Sequence, residues 1–141
     1  MGAALVLRVA SIIALLQWAA HTTMFLRARP THGAEEIAVV ETMKSHHFDL
    51  AGSSRSYWDL YFGYGLLAAV VVLVEAVLLW QLAGATESAR PLVTSIAVLV
   101  LAYNVAHLVI TGRYFFVTPM IPDALIAVCL VVALVLLRRG A

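Results

Sequence analysis

Apolar and polar positions divide the chain into four long apolar runs and three connections of different character. Residues 4–26, 58–82, 91–111 and 120–137 are apolar with few interruptions. Arg8 lies near the start of the first run, Glu75 lies inside the second, and Asp123 lies near the start of the fourth; the third has no formal charge. Each run approaches the ~20 residues that ~30 Å of hydrocarbon requires. The polar residues within them recur at helical spacing, and nothing alternates as a β-barrel strand does. The expected fold is all-α: an integral membrane four-helix bundle, one domain over residues 1–141.

Residues 27–57 form a long polar connection, whereas 83–90 and 112–119 are short. "RARPTHG" reads as an extended turn, because Pro30 restricts the residue before it. "AEEIAVVETMKSHHFDL" then puts Ile37, Val40, Met43 or Lys44, and His47 at helical spacing. This predicts a short amphipathic helix at the mouth of the bundle. "AGSSRS" breaks that helix and supplies serines to cap the second span.

Composition agrees with a lipid environment. With 63% hydrophobic and 12% charged residues among 141, a soluble domain of this size has too little interior to hide its apolar surface. The first run is longer than the apolar region of a signal peptide, so it reads as a span. A net charge of +1 gives no electrostatic case for nucleic acid. Cys129 stands alone and cannot form an intrachain disulfide. No nucleophile elbow, phosphate-binding glycine loop or zincin motif occurs. Helices rich in Leu, Val and Ala leave no pore for a monomeric channel.

Alternating helix directions gather the polar residues. His21 near the end of the first span and His107 near the end of the third fall at similar depth. Trp58, Asp59, Tyr61 and Tyr64 open the second span at that same end, and Asp123 opens the fourth. Gln17 and His21 are i,i+4 neighbours, and Asn104, His107 and Thr111 share a stripe. Tyr61, Gly65, Ala68, Val72 and Glu75 form another, where the small residues let a helix or ligand approach. Glu75 stands about 17 residues into its span, roughly 25 Å along the axis. That depth points towards the opposite end, with Ser11, Ser95 or Arg8 as partners. An intramembrane acid marks a functional site by default.

Each signal has a structural alternative. His21 and His107 can serve as helix-to-helix hydrogen bonds, as acid/base groups, or as a haem-ligating pair. The haem reading lacks a second histidine pair and a Cys-x-x-Cys-His motif. His46 and Asp49 could share a face and a metal, but a solvated face is the simpler reading and no metal site is expected. Arg55 and Asp59 pair at i,i+4 if the second helix begins early. Otherwise Arg55, Trp58 and the tyrosines form an interfacial belt, as do Arg113, Tyr114, Phe115 and Phe116. Asp123 follows Pro122 at a helix start, where an acid complements the macrodipole.

"HTTMFL", "ETMKSHHFDLAGSSRSYWDLYFGYGL" and "LLWQLA" together resemble a family of small four-span bacterial membrane proteins. The most specific stretch is Arg55-Ser-Tyr-Trp58-Asp59-Leu-Tyr61-Phe-Gly63. The resemblance covers about the whole chain and implies the four-helix fold. It also implies one site containing His21, Thr22, Arg55, Trp58, Asp59 and Tyr61, and it brings no chemistry with it. Membrane sterol isomerases are similar in chemistry alone, since they bury His, Glu, Asn and Trp in a small bundle and move protons on a lipid.

The expectation is a membrane-embedded enzyme doing cofactor-independent acid/base chemistry on a lipophilic small molecule: isomerisation, cyclisation or hydrolytic ring opening. His21, His107, Asp59 and Glu75 are the catalytic candidates. Gln17, Thr22, Arg55, Trp58, Tyr61, Tyr64, Asn104 and Arg113 are the candidates for binding substrate. Expected partners are that substrate, membrane lipid and a second copy of the chain. A non-enzymatic lipid-binding or accessory subunit and a haem or quinone carrier are the alternatives. The expected location is the bacterial inner membrane. Arg138 and Arg139 favour cytoplasmic termini by the positive-inside rule.

Overall fold

The computed structural model describes residues 2–139. Four of its helices are long and apolar enough to cross a membrane: α1 (Ala3–Arg27), α3 (Tyr57–Gly84), α4 (Arg90–Tyr114) and α5 (Val117–Arg139). They contain 25, 28, 25 and 23 residues. At 1.5 Å per residue each exceeds the hydrocarbon thickness of ~30 Å. The expected all-α, four-helix membrane fold is observed. Its helix ends fall within three residues of those read from the apolar runs. Between α1 and α3 lie α2 (Ala34–Ser45) and two short strands, β1 (His47–Leu50) and β2 (Ser53–Ser56).

Local chemistry accounts for the ends. Pro91 occupies the first turn of α4, where a missing N–H costs nothing. That helix closes with the Phe115 N–H on the Thr111 carbonyl at 2.9 Å. Pro119 and Pro122 fall within the first two turns of α5, so few backbone bonds are lost. Before α2, the Glu36 carboxylate accepts the N–H groups of Thr31 and His32. The His32 backbone bond is the main cause holding the Glu36 carboxyl below the usual carboxylate range.

The chain clusters into two compact units. The first comprises the chain up to Ala19 together with everything from Val72 onward. It contains the apolar core: Leu7, Ala10 and Ala14 of α1, Leu79 and Ala83 of α3, Val93 and Ala97 of α4, and Ile126, Leu130 and Ala133 of α5. Half of those ten residues are alanine. Lipid provides no hydrophobic drive between helices, so close backbone approach and dispersion must hold them. Ser11 adds a buried hydroxyl bond to the Ala76 carbonyl at 2.6 Å.

The second unit is Ala20–Val71. Here the structure corrects the sequence reading in two places. The helix expected to reach Leu50 ends at Ser45, with the His46 N–H on the Thr42 carbonyl. It also buries none of its side chains. The residues after it form an antiparallel hairpin, His47 opposite Ser56 and Leu50 opposite Ser53. Ala51 and Gly52 are its two-residue loop, both at positive φ (53° and 80°). This is the turn type whose twist matches a hairpin. Asp49 Oδ1 accepts the Gly52 N–H at 3.1 Å, bracing the turn.

Ala51 has no side-chain group to offset a left-handed backbone. Replacing it with Asn, which tolerates that conformation, should stabilise the hairpin by about 0.5–1 kcal/mol. Amide hydrogen exchange at Ser53 and Leu50 would slow about two- to fivefold. Unchanged or faster exchange would contradict the strain assigned to Ala51.

Candidate functional site

The first unit holds a group of polar side chains inside its apolar core. Asp123 of α5 is its centre and is 2% exposed. Gln17 of α1 donates from Nε2 to Asp123 Oδ1 at 2.7 Å. His107 of α4 approaches Asp123 Oδ2 through Nδ1 at 2.8 Å. Both carboxylate oxygens are thus occupied, by side chains from two different helices. Glu75 of α3 is buried and accepts a hydrogen bond from Asn104 Nδ2 of α4. Asn104 Nδ2 also donates to the Val100 carbonyl at 2.9 Å. Glu75 lies within electrostatic range of both Asp123 and His107. The Tyr103 ring stands 5.7 Å from the His107 ring, centre to centre. All four spans contribute: α1, α3, α4 and α5.

Helical spacing produces this arrangement. Asn104 and His107 are i,i+3 on α4, and Tyr103 and His107 are i,i+4. A short turn between α4 and α5 folds Asp123 back against His107. Two features of the cluster bear on what it can do chemically. His107 engages Asp123 through Nδ1, which leaves Nε2 without a hydrogen-bond partner among the described residues. Its side chain is 33% exposed, whereas that of Asp123 is 3% exposed. Gln17 gives its amide N–H to Asp123, and its buried Oε1 accepts from no group among the described residues. An imidazole oriented by a carboxylate, with its second nitrogen open, is equipped to take and return a proton. The bare amide oxygen beside it can accept a hydroxyl.

Two sequence readings are corrected here, and one residue was missed. Glu75 was expected at the opposite end from the histidines, paired with Ser11, Ser95 or Arg8. Its partner is Asn104, while Ser11 bonds to Ala76 and Arg8 lies over the Trp80 ring at 5.4 Å. Asp123 was read as a macrodipole acid at a helix start. In the structure α5 begins at Val117, so Asp123 lies in the second turn and serves the cluster. Tyr103 was not singled out at all; its i,i+4 relation to His107 was the available signal.

The remaining candidates belong to the second unit and have local partners. His21 Nε2 lies 3.2 Å from the Gly65 carbonyl, and its ring stacks on Phe25 at 5.8 Å. Phe25 also occupies the space left by Gly65: a Cβ there would overlap the ring. The opening attributed to that glycine is therefore filled by the chain itself. Phe25, Trp58, Tyr61 and Phe62 form an aromatic cluster with Lys44 over the Trp58 ring at 5.2 Å. The Thr22 hydroxyl is buried without a partner, and Tyr64 is exposed.

Asp59 is a capping residue. Its Oδ2 accepts the Ser56 N–H at 2.8 Å, and its own N–H donates to Ser56 Oγ at 3.1 Å. This reciprocal box starts α3 and realises the serine cap. The expected Arg55–Asp59 helical pair does not form, because Arg55 lies in β2 and bonds to the Ser54 carbonyl. His46 and Asp49 share no helix face for the same reason. No group of three metal-ligating side chains occurs among the described residues. Arg113 lies in the first unit, exposed, with its guanidinium over the Tyr114 ring.

No protein-family model matches the chain, and neither a curated protein nor a solved structure matches it significantly.

The Glu75–Asn104 pair makes a direct prediction. Glu75→Leu strands one N–H of Asn104 and should cost about 1–3 kcal/mol. Glu75→Gln keeps an acceptor and should cost less. The double variant Glu75→Leu/Asn104→Leu removes both partners and should lose less stability than the two single losses combined. Unfolding titrations in detergent measure the wild type, the three single variants (Asn104→Leu included) and the double variant. Strict additivity would show that the two side chains do not act together.

Proposed function

We propose that the protein is a membrane-embedded enzyme that moves protons on a lipophilic small molecule, with His107 as its acid/base group. The observation that carries this reading is the Gln17–Asp123–His107 chain. Asp123 orients the imidazole through Nδ1 and leaves Nε2 for the substrate. In the proposed step, Nε2 takes a proton from a carbon or hydroxyl of the substrate. The imidazolium so formed faces the Asp123 carboxylate, which stabilises it. Returning the proton at another atom of the same molecule completes an isomerisation or cyclisation without a redox change. Gln17 Oε1 accepts a substrate hydroxyl, and Tyr103 beside the imidazole lines the approach. Glu75 is the second acid of the cluster, and Asn104 positions it.

His21, Asp59 and Arg55 are not carried forward as catalytic groups, because each has a structural task in its own unit. The family resemblance read from the sequence supports a bacterial inner-membrane setting. Cytoplasmic termini are supported by the Arg138–Arg139 pair alone, since Arg27, Arg29, Lys44, Arg55 and Arg113 at the other end outnumber Arg8, Arg90, Arg138 and Arg139. These last four belong to the start of α1, the start of α4 and the end of α5, which share one end of the first unit.

The test uses a total lipid extract of bacterial membranes, incubated with purified protein in D2O. The wild type should place carbon-bound deuterium, or the elements of water, into one component detected by mass spectrometry. His107→Gln should lower that rate by at least about 100-fold, the usual contribution of a general base. Asp123→Asn should lower it by a smaller factor, since it leaves the imidazole in place but unoriented. An extract left unchanged by the wild type would overturn the enzyme reading.

A further inference from the structure

The polar stripe of α4 has one member that neither the packing nor the proton transfer described above uses. Asn104, His107 and Thr111 follow one another at i, i+3 and i+7. Asn104 is spent, because its amide nitrogen donates both to Glu75 and to the Val100 carbonyl. His107 is held by Asp123. Thr111 is 3% exposed, yet its hydroxyl makes no hydrogen bond among the described residues. Only its carbonyl is engaged, by the Phe115 N–H. Thr42, Thr86 and Thr94 show the ordinary alternative, each giving its hydroxyl to a carbonyl three or four residues back. Thr111 leaves that bond unmade, although an unpaired hydroxyl is costly to bury. Cα–Cβ bonds in a helix tilt towards its N-terminus, so Thr111 leans towards His107, one turn before it.

We propose that the Thr111 hydroxyl donates to a substrate carbonyl, and that the substrate is a lipophilic ketone or aldehyde that also carries the hydroxyl assigned to Gln17. This inference rests on the acid/base function proposed above and supplies a part that function needs. An imidazole is too weak a base to take a proton from an ordinary saturated carbon. A carbonyl beside that carbon makes the proton labile, provided a donor meets the oxygen where charge develops. In the step, the C–H bond breaks and its electron pair becomes the C=C bond of an enolate. The carbonyl π pair moves onto oxygen, which accepts from the Thr111 O–H. The proton goes to His107 Nε2, so the net charge of site and substrate is unchanged. Where the substrate has a neighbouring double bond, returning the proton to its far carbon shifts that bond, with no oxidant or reductant. Tyr103 is the competing donor, since its ring also flanks the imidazole, at 5.7 Å. It precedes His107 by one turn, however, and the N-terminal tilt carries it away from the imidazole where Thr111 is carried towards it.

The experiment incubates the full chain in detergent with a total lipid extract of bacterial membranes in D2O. Carbonyl compounds are then captured with a hydroxylamine tag and read by mass spectrometry. Wild type should place carbon-bound deuterium in the tagged fraction. Thr111→Val keeps the shape without the hydroxyl and should lower that rate about 100-fold, the effect of losing one donor to an oxyanion. Thr111→Ser should restore most of it. Thr111→Val should also resist denaturant as well as wild type or better, because removing an unpaired hydroxyl breaks no bond. Deuterium confined to the untagged fraction would overturn the carbonyl assignment and leave the acid/base reading standing. Tagged product formed by Thr111→Val at the wild-type rate, or a larger loss in Tyr103→Phe than in Thr111→Val, would overturn the role of Thr111. So would a destabilised Thr111→Val that Thr111→Ser does not rescue, since the hydroxyl would then be structural. An extract left unchanged by the wild type would overturn both readings together.

Discussion

The first unit depends on the way a buried carboxylate is satisfied. Asp123 is almost fully enclosed in helices that lie in hydrocarbon, where an unsatisfied polar group costs several kcal/mol. Water cannot supply the missing bonds, so other helices must. Gln17 comes from α1 and His107 from α4, one to each oxygen. That single requirement fixes the rotation of three helices about their axes. Glu75 and Asn104 impose the same condition between α3 and α4. Dispersion between alanine-rich faces brings these helices together but would tolerate many rotations. The polar cluster selects one of them.

The same cluster shows which parts of the fold were legible in the sequence. Apolar runs locate the spans because hydrocarbon thickness sets a minimum length, and the residues at stake are numerous. A single partner is harder to read. Helix direction placed Asp123 at the same end as His107, but Pro119 and Pro122 delayed its helix on paper and made Asp123 look like an end residue. In fact α5 accommodates both prolines in its first two turns. Glu75 was placed by counting along one helix, which gives depth and not azimuth. Asn104 reaches it because α4 runs antiparallel to α3 and meets it at the same depth.

The hairpin was missed for a different reason. Two-residue loops of this type are usually announced by Asn-Gly or Asp-Gly, whereas here Ala51 takes the first left-handed position. The histidines before it fit a continuing helical pattern equally well. What ends the helix is tertiary: His46 and Phe48 turn to meet the Tyr57 ring at 6.3 and 5.0 Å. Once the strand pair exists, Ser56 sits where it can cap α3, and Asp59 returns the bond. The Arg-Ser-x-Trp-Asp-x-Tyr-x-Gly stretch then has a structural explanation for several of its members. Ser56 and Asp59 start a helix, and Trp58 and Tyr61 pack against Phe62 and Phe25. A motif dense in polar and aromatic groups is therefore not by itself a reactive site.

What separates the two polar groupings is how their acids are held. His21 spends a nitrogen on a backbone carbonyl and presses its ring against Phe25. Asp59 spends its carboxylate on the amide of its own cap residue. Each is held by groups of its own unit, and a stabilising role accounts for it. The Asp123 cluster is saturated only at its centre. Its two outer members each keep an atom in hand: Nε2 on a third-exposed imidazole, and an amide oxygen buried without a donor. A purely structural network gains nothing from leaving a buried acceptor bare, because that atom costs desolvation energy with no return. In the function proposed above, these are the atoms that would receive a hydroxyl or a proton from a bound molecule, and the cluster holds them oriented before it arrives.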